Sequence, residues 1–500
     1  MYEKKGNNTV QAAWLAIGSL LSFGFSIASA AILSRYLTKE DYGTYKQVMY
    51  VYQTLLMAFT LGLPRAYSYF VPRVQIEKGK SIVGKLNLMF IGLGLLFSIV
   101  LFLGSGLIAD ILNNAKLDVS IKLFALTPLF LLPTMGLEGV LACFQKSKLY
   151  AIYLLITRIM TVLFVAFPVM FYKADCNTAV IGFSISSFIS CLISFSLMRN
   201  PFKRVRGVPS EITYREIFSF SIPLMLASWW GVLIKSADQF YISRFFGEAA
   251  FAEYTNGSFE LPIVPMVLGA GATVLLPLFS EYALDLIGNK EKIIQLWKNT
   301  LKKSTFILFP LVSYSWVFAT LIMTLLYGEK YPNSGIFFSI FLIKDFFSIT
   351  QYYPIMIAIG ENKFYAKGHM MVAAYIWILE AVSIYVYPSP YVIAVISVSG
   401  SLIKIFMFSF RIAKKMNVSI IDLFPVKEMF LCATSCIFVA YVCKQILWLL
   451  PDYLTSVKLI ALIISFSIFA PLVVFSGKIV NIDYWSVFQP LMNRILKKCK

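Results

Sequence analysis

The sequence is poor in charge and in histidine. Only 14% of its 500 residues are charged and it holds a single histidine, whereas about a quarter of the residues of ordinary soluble domains are charged. The hydrophobic fraction is 59%, and several apolar runs reach the roughly 20 residues with which a helix crosses a bilayer. An ordinary soluble protein is therefore excluded. The period-two alternation of a membrane β-barrel is also absent, so we predict an all-α polytopic membrane protein.

The sequence also lacks the motifs of enzymes and metal sites. Its seven cysteines are scattered without Cys-x-x-Cys or Cys/His ligand spacing, and His369 has no partner motif. Gly79-Lys80-Ser81 is similar to the end of a phosphate-binding loop, but Val74 stands where that motif needs its first glycine. We therefore expect no catalytic residues, no metal and no cofactor.

The positive charge, +19 in total, falls mostly into alternate loops between the apolar segments. Because Lys and Arg are enriched in the short cytoplasmic loops of membrane proteins, this charge does not indicate a nucleic-acid partner. It predicts that both termini are cytoplasmic, which requires an even number of helices. We predict fourteen helices, near residues 12–33, 43–70, 84–109, 120–143, 149–172, 177–198, 215–243, 254–282, 303–327, 334–358, 366–387, 390–411, 428–450 and 456–477.

One stretch near the start of the chain recurs about two hundred residues later. The first copy is Leu33-Ser34-Arg35-Tyr36-Leu37 followed by Tyr42-Gly43-Thr44-Tyr45, and the second is Ile242-Ser243-Arg244-Phe245-Phe246 followed by Phe251-Ala252-Glu253-Tyr254. Self-similarity over this distance indicates two duplicated halves rather than a solenoid, and duplicated membrane halves are common in transporters. We predict three domains: an N-terminal lobe (1–210, helices 1–6), a C-terminal lobe (211–420, helices 7–12), and an extra helix pair with a basic cytoplasmic tail (421–500).

Ionisable residues at mid-membrane depth in the predicted helices are few and are the strongest functional candidates. The ten are Arg65, Glu138, Arg158, Lys235, Asp238, Glu260, Lys344, Asp345, Glu380 and Lys404. Arg65 and Arg158 each either pair with Glu138 across the first bundle or present positive charge to a cavity, where the arginine fork suits a phosphate. Lys235 and Asp238 are three residues apart and share a helix face. They form either a self-neutralising pair or part of a cavity wall.

Small and helix-breaking residues mark two further features. Ser22, Ser26 and Ser29 recur at helical spacing on the first helix, where they form a polar stripe or allow close helix packing. Prolines interrupt helices 2 and 8, which are equivalent in the repeat: Pro64, Pro262, Pro265 and Pro277. Proline removes a backbone hydrogen bond, and interruptions at corresponding places in two halves are typical of a binding site or hinge. An inert kink is the alternative.

The stretch that recurs, which we call the repeated turn, resembles a turn of a known transporter family. The stretch from Ser34 to Tyr45 is similar to the first periplasmic turn of the polysaccharide flippases, as is the segment from Phe218 to Met225 that leads to Asp238-Gln239-Phe240-Tyr241-Ile242-Ser243. These flippases form the Wzx-like (O-antigen) branch of the multidrug/oligosaccharidyl-lipid/polysaccharide exporter superfamily. The resemblance covers about the first 410 residues. The second copy departs from it with Ala252, where the family often has glycine.

The resemblance implies two six-helix lobes that form a V and open alternately to each side. The family moves undecaprenyl-pyrophosphate-linked oligosaccharides from the inner to the outer leaflet of the bacterial inner membrane. The implied partners are this lipid-linked substrate, membrane lipids, and a polymerase or glycosyltransferase, with the protein as a monomer. Lipid II flippase and multidrug or cation antiporter of the same superfamily are the alternatives. A membrane polysaccharide polymerase is less favoured, because we predict no sizeable outside loop.

Depth and charge then suggest roles for individual residues. A sugar-lipid pyrophosphate needs a cationic cavity for its head group and an apolar gap for its tail. We predict that substrate contacts are made by Arg65, Arg158, Lys235 and Lys404. Asp238 and Glu260 are the candidates for coupling to H⁺ or Na⁺, and Pro64, Pro262 and Pro265 are the candidate hinge residues.

Overall fold

The computed structural model describes residues 8–450, 457–484 and 489. Within this part of the chain the structure is helical and contains no strand, so the predicted all-α class is confirmed. The helices are α1 Asn8–Tyr36, α2 Lys39–Thr60, α3 Pro64–Phe70, α4 Ile76–Ile111, α5 Lys116–Phe124, α6 Thr127–Thr134, α7 Leu137–Cys143, α8 Ser147–Thr161, α9 Phe167–Phe171, α10 Cys176–Arg199, α11 Tyr214–Gly257, α12 Ile263–Tyr282, α13 Lys290–Val317, α14 Ala319–Tyr327, α15 Ser334–Asp345, α16 Tyr353–Ala358, α17 Asn362–Val386, α18 Pro390–Met416, α19 Val426–Leu449 and α20 Lys458–Ile479. Of the predicted basic tail after residue 477, residues 485–488 and 490–500 lie outside the described residues.

Nine of the described helices are long and apolar enough to cross a membrane, and the number is twelve if each of three bent helix pairs is one span. The protein is therefore a multi-pass membrane protein. The predicted spans 43–70 and 334–358 correspond to broken helices, α2 with α3 and α15 with α16. In the first of them Leu61 and Gly62 have φ of 48° and 72°, which ends α2 before Pro64 starts α3. The count of fourteen stays a prediction.

The helices form two compact units. The first unit is Met1–Ala252 together with Leu326–Lys330, and the second is Glu253–Leu325 together with Tyr331–Lys500. The division falls within α11, close to the second copy of the repeated turn. The lobes predicted from the duplication, with their boundaries at 210 and 420, stay a prediction.

The repeated turn breaks the helix at equivalent positions in its two copies. Between α1 and α2, Thr38 is the N-cap residue and its ψ of 164° is extended. Gly247 takes the corresponding position in the second copy and interrupts α11 with φ 81° and ψ 174°. A positive φ of this kind favours glycine, which has no Cβ to clash. The helix is therefore interrupted at the same point in both copies, by Thr38 in the first and by Gly247 in the second.

A buried polar network holds the first copy of the turn. Asn114, just before α5, donates through Nδ2 to Thr44 Oγ1 at 2.9 Å and to Gln47 Oε1 at 2.6 Å. Gln47 in turn donates to Ser243 Oγ at 2.8 Å. These four side chains are at most 6% exposed. Because buried polar groups are costly unless hydrogen-bonded, the network ties α2, α5 and α11 together.

In the second unit, an asparagine makes a similar hydrogen bond to the second copy of the turn. Asn333, just before α15, donates through Nδ2 to Glu253 Oε2 at 2.6 Å, and Ser334 Oγ donates to the Glu253 carbonyl at 3.0 Å. Glu253 corresponds to Thr44 in the repeat. An asparagine at the start of a later helix thus holds the repeated turn in both units.

We expect Asn114→Ala to lower the free energy of unfolding by about 1–3 kcal/mol, because two buried acceptors lose their donor. The measurement is thermal unfolding in detergent, with Gln47→Leu and the double variant completing a double-mutant cycle. The network predicts that the double variant costs clearly less than the two single costs together. Strictly additive costs would show that Asn114 and Gln47 do not act together.

The segment between α10 and α11 is held against the start of α4. Lys85 Nζ donates to the carbonyls of Ser210 and Ile212 at 2.9 and 2.8 Å, and Lys78 pairs with Glu211 at 2.8 Å. The hydrogen bond and charge of Lys78 lower the pKa of the Glu211 carboxyl below its usual value. The segment between α10 and α11 is thus fastened by two lysines of α4.

In the second unit the last two helices share a core with the helices before them. Trp297 and Phe309 of α13, Cys432 and Cys436 of α19, and Phe469 of α20 belong to one buried cluster. Polar contacts run along the same surface, where Tyr314 donates to the Leu462 carbonyl at 2.9 Å and Lys302 pairs with Glu428 at 3.0 Å. The C-terminal pair is therefore packed onto α13.

Candidate functional site

A cavity of about 350 Å³ lies in the first unit between α1, α7 and α8. Its lining residues are Leu15, Ser19, Ser22, Phe23, Ser26, Glu138, Tyr150, Leu154 and Arg158. Four of these are sequence candidates. They are Ser22 and Ser26 of the predicted stripe, and Glu138 and Arg158, two of the three predicted charges of the first bundle. We call this the α1/α8 cavity.

Close packing of α1 on α8 positions the polar side chains. A Cβ added at Gly18 would lie only 2.7 Å from the Ala151 Cβ, so a small residue is needed for the two helices to approach. One turn further along α1, Ser22 then reaches the side chain of Arg158 on α8. The polar stripe faces a charged neighbour, while Gly18 provides the close helix contact. Ser29, the third predicted stripe residue, is buried and does not line the cavity.

Arg158 is half-buried and its Nε donates to Ser22 Oγ at 3.0 Å. Ser26 Oγ donates to the Ser22 carbonyl at 3.0 Å, which keeps the serine face ordered. Within the described part of the chain, the other N–H groups of Arg158 have no hydrogen-bond acceptor and the guanidinium has no ion pair. The guanidinium thus retains free donors in the cavity, the geometry with which arginine binds two oxygens of an anion.

Glu138 occupies the same cavity without pairing to Arg158. It lies in the first turn of α7 and is exposed. Its carboxylate lies close enough to the Tyr150 side chain to interact with it electrostatically. The alternative in which Arg158 and Glu138 neutralise each other directly is therefore not the arrangement observed.

Tyr150 is a lining residue that the sequence analysis did not single out. Tyr150, Leu154 and Arg158 are four residues apart on α8 and share one face of the helix. Counting back from Arg158 in steps of four residues, the spacing of one helix face, would have identified Tyr150. Ser19 extends the α1 stripe by the same reasoning.

Three other predicted residues of the first unit lie outside this cavity. Arg65 is exposed on α3, directly after Pro64, the first residue of that helix. Lys235 is exposed on α11 and makes no ion pair with Asp238 among the described residues. Asp238 itself is only 4% exposed and accepts a hydrogen bond from the Gln239 amide at 2.9 Å.

The remaining candidates belong to the second unit. Glu260 is exposed in the segment between α11 and α12, close enough to Asp345 to interact with it electrostatically. Lys404 is half-buried on α18 and interacts in the same way with His369. Pro262 directly precedes α12 and Pro265 lies in its first turn, so both prolines accompany the break between α11 and α12.

A family model described as "Polysaccharide biosynthesis protein" matches residues 10–283. The chain belongs to the polysaccharide biosynthesis protein family. The matched part of this family member runs from α1 to the end of α12 and contains the whole α1/α8 cavity. A comparison with curated protein sequences found no match.

Several solved transporter structures share the fold of this polysaccharide biosynthesis protein. The lipid II flippase MurJ in an inward closed conformation aligns over 93% of this chain and 98% of its own, with a TM-score of 0.66 and 14% identity. A point mutant of the Vibrio cholerae MATE transporter VcmN aligns over 82% and 96%, with a TM-score of 0.56 and 14% identity. A MOP superfamily transporter from Pyrococcus furiosus aligns over 81% and 95%, with a TM-score of 0.56 and 14% identity. The chain therefore shares the fold of these transporters.

Proposed function

We propose that the protein is a flippase of the bacterial inner membrane that moves undecaprenyl-pyrophosphate-linked oligosaccharide repeat units for surface polysaccharide synthesis. The substrate crosses from the inner to the outer leaflet by alternating access, driven by H⁺ or Na⁺. Both termini face the cytoplasm, and the protein carries out transport without chemical conversion of the substrate. The family match supports the substrate class, and the MOP-superfamily fold supports transport.

The observation that carries the proposal is the guanidinium of Arg158. It lies half-buried at the α1/α8 cavity with a neutral partner, Ser22, and with free N–H donors. Charge at membrane depth is costly and is retained where it meets a ligand or a water-filled cavity. A pyrophosphate offers several oxygens to the planar donor fork, and the serines on α1 add neutral hydroxyl groups suited to sugar or phosphate oxygens.

The other candidates complete the mechanism at different stages of transport. Arg65, Lys235 and Lys404 supply further positive charge to the head group as it moves. Asp238, which is buried, and Glu260, which lies beside Asp345, bind the coupling ion. The helix breaks at Pro64 and before Pro262 act as hinges.

The test uses cells that lack this protein but otherwise synthesise their glycan normally. Lipid-linked intermediates are extracted, and an impermeant glycan-modifying reagent applied to spheroplasts reports which leaflet holds them. We expect a complete repeat unit to accumulate on the inner leaflet, protected from the reagent. Mass spectrometry then identifies the sugar and the lipid carrier.

Three results would contradict the proposal. Accumulated lipid II in place of the repeat unit would assign the protein to peptidoglycan precursor transport, the activity named for its structural neighbour MurJ. An unchanged lipid pool with altered sensitivity to toxic cations would indicate drug export. Single repeat units already exposed on the outside would mean that flipping is intact and that polymerisation has failed.

A further inference from the structure

A second cavity in the first unit, of about 900 Å³, lies between α4 and α10. α6 packs against both of these helices, and one face of each forms a wall. Lys80, Gly84 and Ile91 follow one another on the α4 wall, and Leu192 and Arg199 on the α10 wall. We call this cavity the α4/α10 groove. It shares no lining residue with the α1/α8 cavity.

One end of the groove is basic. Lys80, Arg199 and Lys203 line it and are exposed, and no acidic residue is among its lining residues. Lys80 Nζ donates to the Val205 carbonyl at 2.8 Å. The side chains of Arg199 and Lys203 have no hydrogen bond or ion pair to the described parts of the chain. Two uncompensated cations therefore meet at this end, where they favour an anionic group.

The other end of the groove is apolar. Ile91 is 39% and Leu192 is 55% exposed, and Phe195 lies between Leu192 and the basic end. From Lys80 to Ile91 the groove follows α4 for about 16 Å, at 1.5 Å per residue. Along this length the lining changes from charged to hydrocarbon. Such a change matches a molecule with an anionic head and an acyl chain.

The basic end also lies beside the most positively charged loop of the chain. Arg199 ends α10, and Lys203 begins the segment that runs to α11 through Arg204 and Arg206. Basic loops of this kind face the cytoplasm. The cytoplasmic leaflet is rich in anionic lipids, and basic pockets between membrane helices on that side bind lipid head groups.

We propose that the α4/α10 groove binds one anionic phospholipid of the cytoplasmic leaflet. The lipid phosphate contacts Arg199 and Lys203, and one acyl chain lies along Ile91 and Leu192. Lys80 lines the phosphate site and donates to the carbonyl of Val205, which lies between α10 and α11. It therefore links the phosphate site to that segment. A bound lipid therefore stabilises the segment between the two repeats.

The test is native mass spectrometry of the delipidated full-length protein titrated with phosphatidylglycerol, and separately with phosphatidylcholine. We expect one tightly bound phosphatidylglycerol and weaker phosphatidylcholine binding. Each cation near a membrane surface contributes a factor of roughly five to anionic-lipid affinity. Arg199→Gln should therefore weaken phosphatidylglycerol binding roughly fivefold, and Arg199→Gln with Lys203→Gln roughly thirtyfold.

A steric variant tests the groove without changing charge. Gly84 is exposed on the α4 wall, and a Cβ there would meet nothing within 4 Å. Gly84→Trp should fill the groove and remove the tightly bound lipid. Gly92, on the same helix, also has nothing within 4 Å of an added Cβ but does not line the groove. Gly92→Trp is the matched control and should retain the lipid.

Four outcomes would overturn the proposal. They are equal affinity for phosphatidylcholine, unchanged binding in Gly84→Trp, complete displacement of the lipid by inorganic phosphate, and displacement by low concentrations of undecaprenyl pyrophosphate. The third would make the groove a free-phosphate site, and the fourth would make it part of a transport path. Thermal unfolding of each variant without lipid checks that it is folded.

Discussion

Arg158→Gln should reduce transport of the lipid-linked repeat unit by a factor of roughly 30 to 150. The substitution removes the fork that faces the α1/α8 cavity while it keeps a polar side chain of similar length. Truncating one partner of a buried, hydrogen-bonded charge contact costs about 2–3 kcal/mol or more, which converts to this factor. The measurement is the rate at which the repeat unit becomes accessible to the impermeant reagent in cells that carry the variant.

Two companion variants separate charge from geometry. Arg158→Lys keeps the positive charge but replaces the fork with a point charge, so we expect an intermediate rate. Ser22→Ala removes the hydroxyl that accepts from Arg158 Nε at 3.0 Å, and the loss of one such contact predicts only a several-fold decrease. A fully active Arg158→Gln protein at normal membrane levels would eliminate Arg158 as a substrate contact.

Gly43→Ala should be the most destabilising of the glycine-to-alanine changes in the repeated turn. In the first unit an added Cβ at Gly43 would overlap the backbone carbonyl of Glu248. Neither backbone can move aside freely, since the Asn114–Gln47–Ser243 network holds α2 and α11 nearby. Overpacking of this kind costs about 1–3 kcal/mol and sometimes more. We expect a clear fall in Tm in detergent and a lower yield of folded protein.

Gly92→Ala is the control for this variant. Gly92 lies in α4, where an added Cβ meets nothing within 4 Å. Alanine is the better helix former by about 1 kcal/mol, so this change should leave Tm unchanged or raise it. If Gly43→Ala behaved in the same way, the close contact between Gly43 and Glu248 would not exist in the folded protein.

The Gly43 contact also explains a difference between the two copies of the repeat. Ala252 takes the corresponding position in the second copy, where the resemblance to the polysaccharide flippases would lead one to expect glycine. Ala252 is fully buried, so a methyl group is accommodated there. The requirement for glycine depends on the backbone that packs against the position. A motif alone does not state that requirement.

Much of the candidate site could be predicted from single residues. Arg158 and Glu138 stand out because ionisable groups are rare in apolar segments, and the serine stripe of α1 follows from its spacing. The contact between Arg158 and Ser22 could not be predicted, because it depends on how closely Gly18 allows α1 to approach Ala151. Pairing of Arg158 with Glu138 was an equally reasonable expectation until the positions of α7 and α8 were known.

The sequence by itself determined the membrane class, the helical secondary structure, the repeated turn and the family. Each of these depends on local properties: the length of an apolar run, the distribution of Lys and Arg, and the spacing of a motif along the chain. The tertiary structure alone decided where α2 breaks at Gly62, that Tyr150 lies near Glu138, and that Arg158 donates to Ser22. These features depend on contacts between residues far apart in the chain, and the energy of such contacts is set by packing distances that no local pattern encodes.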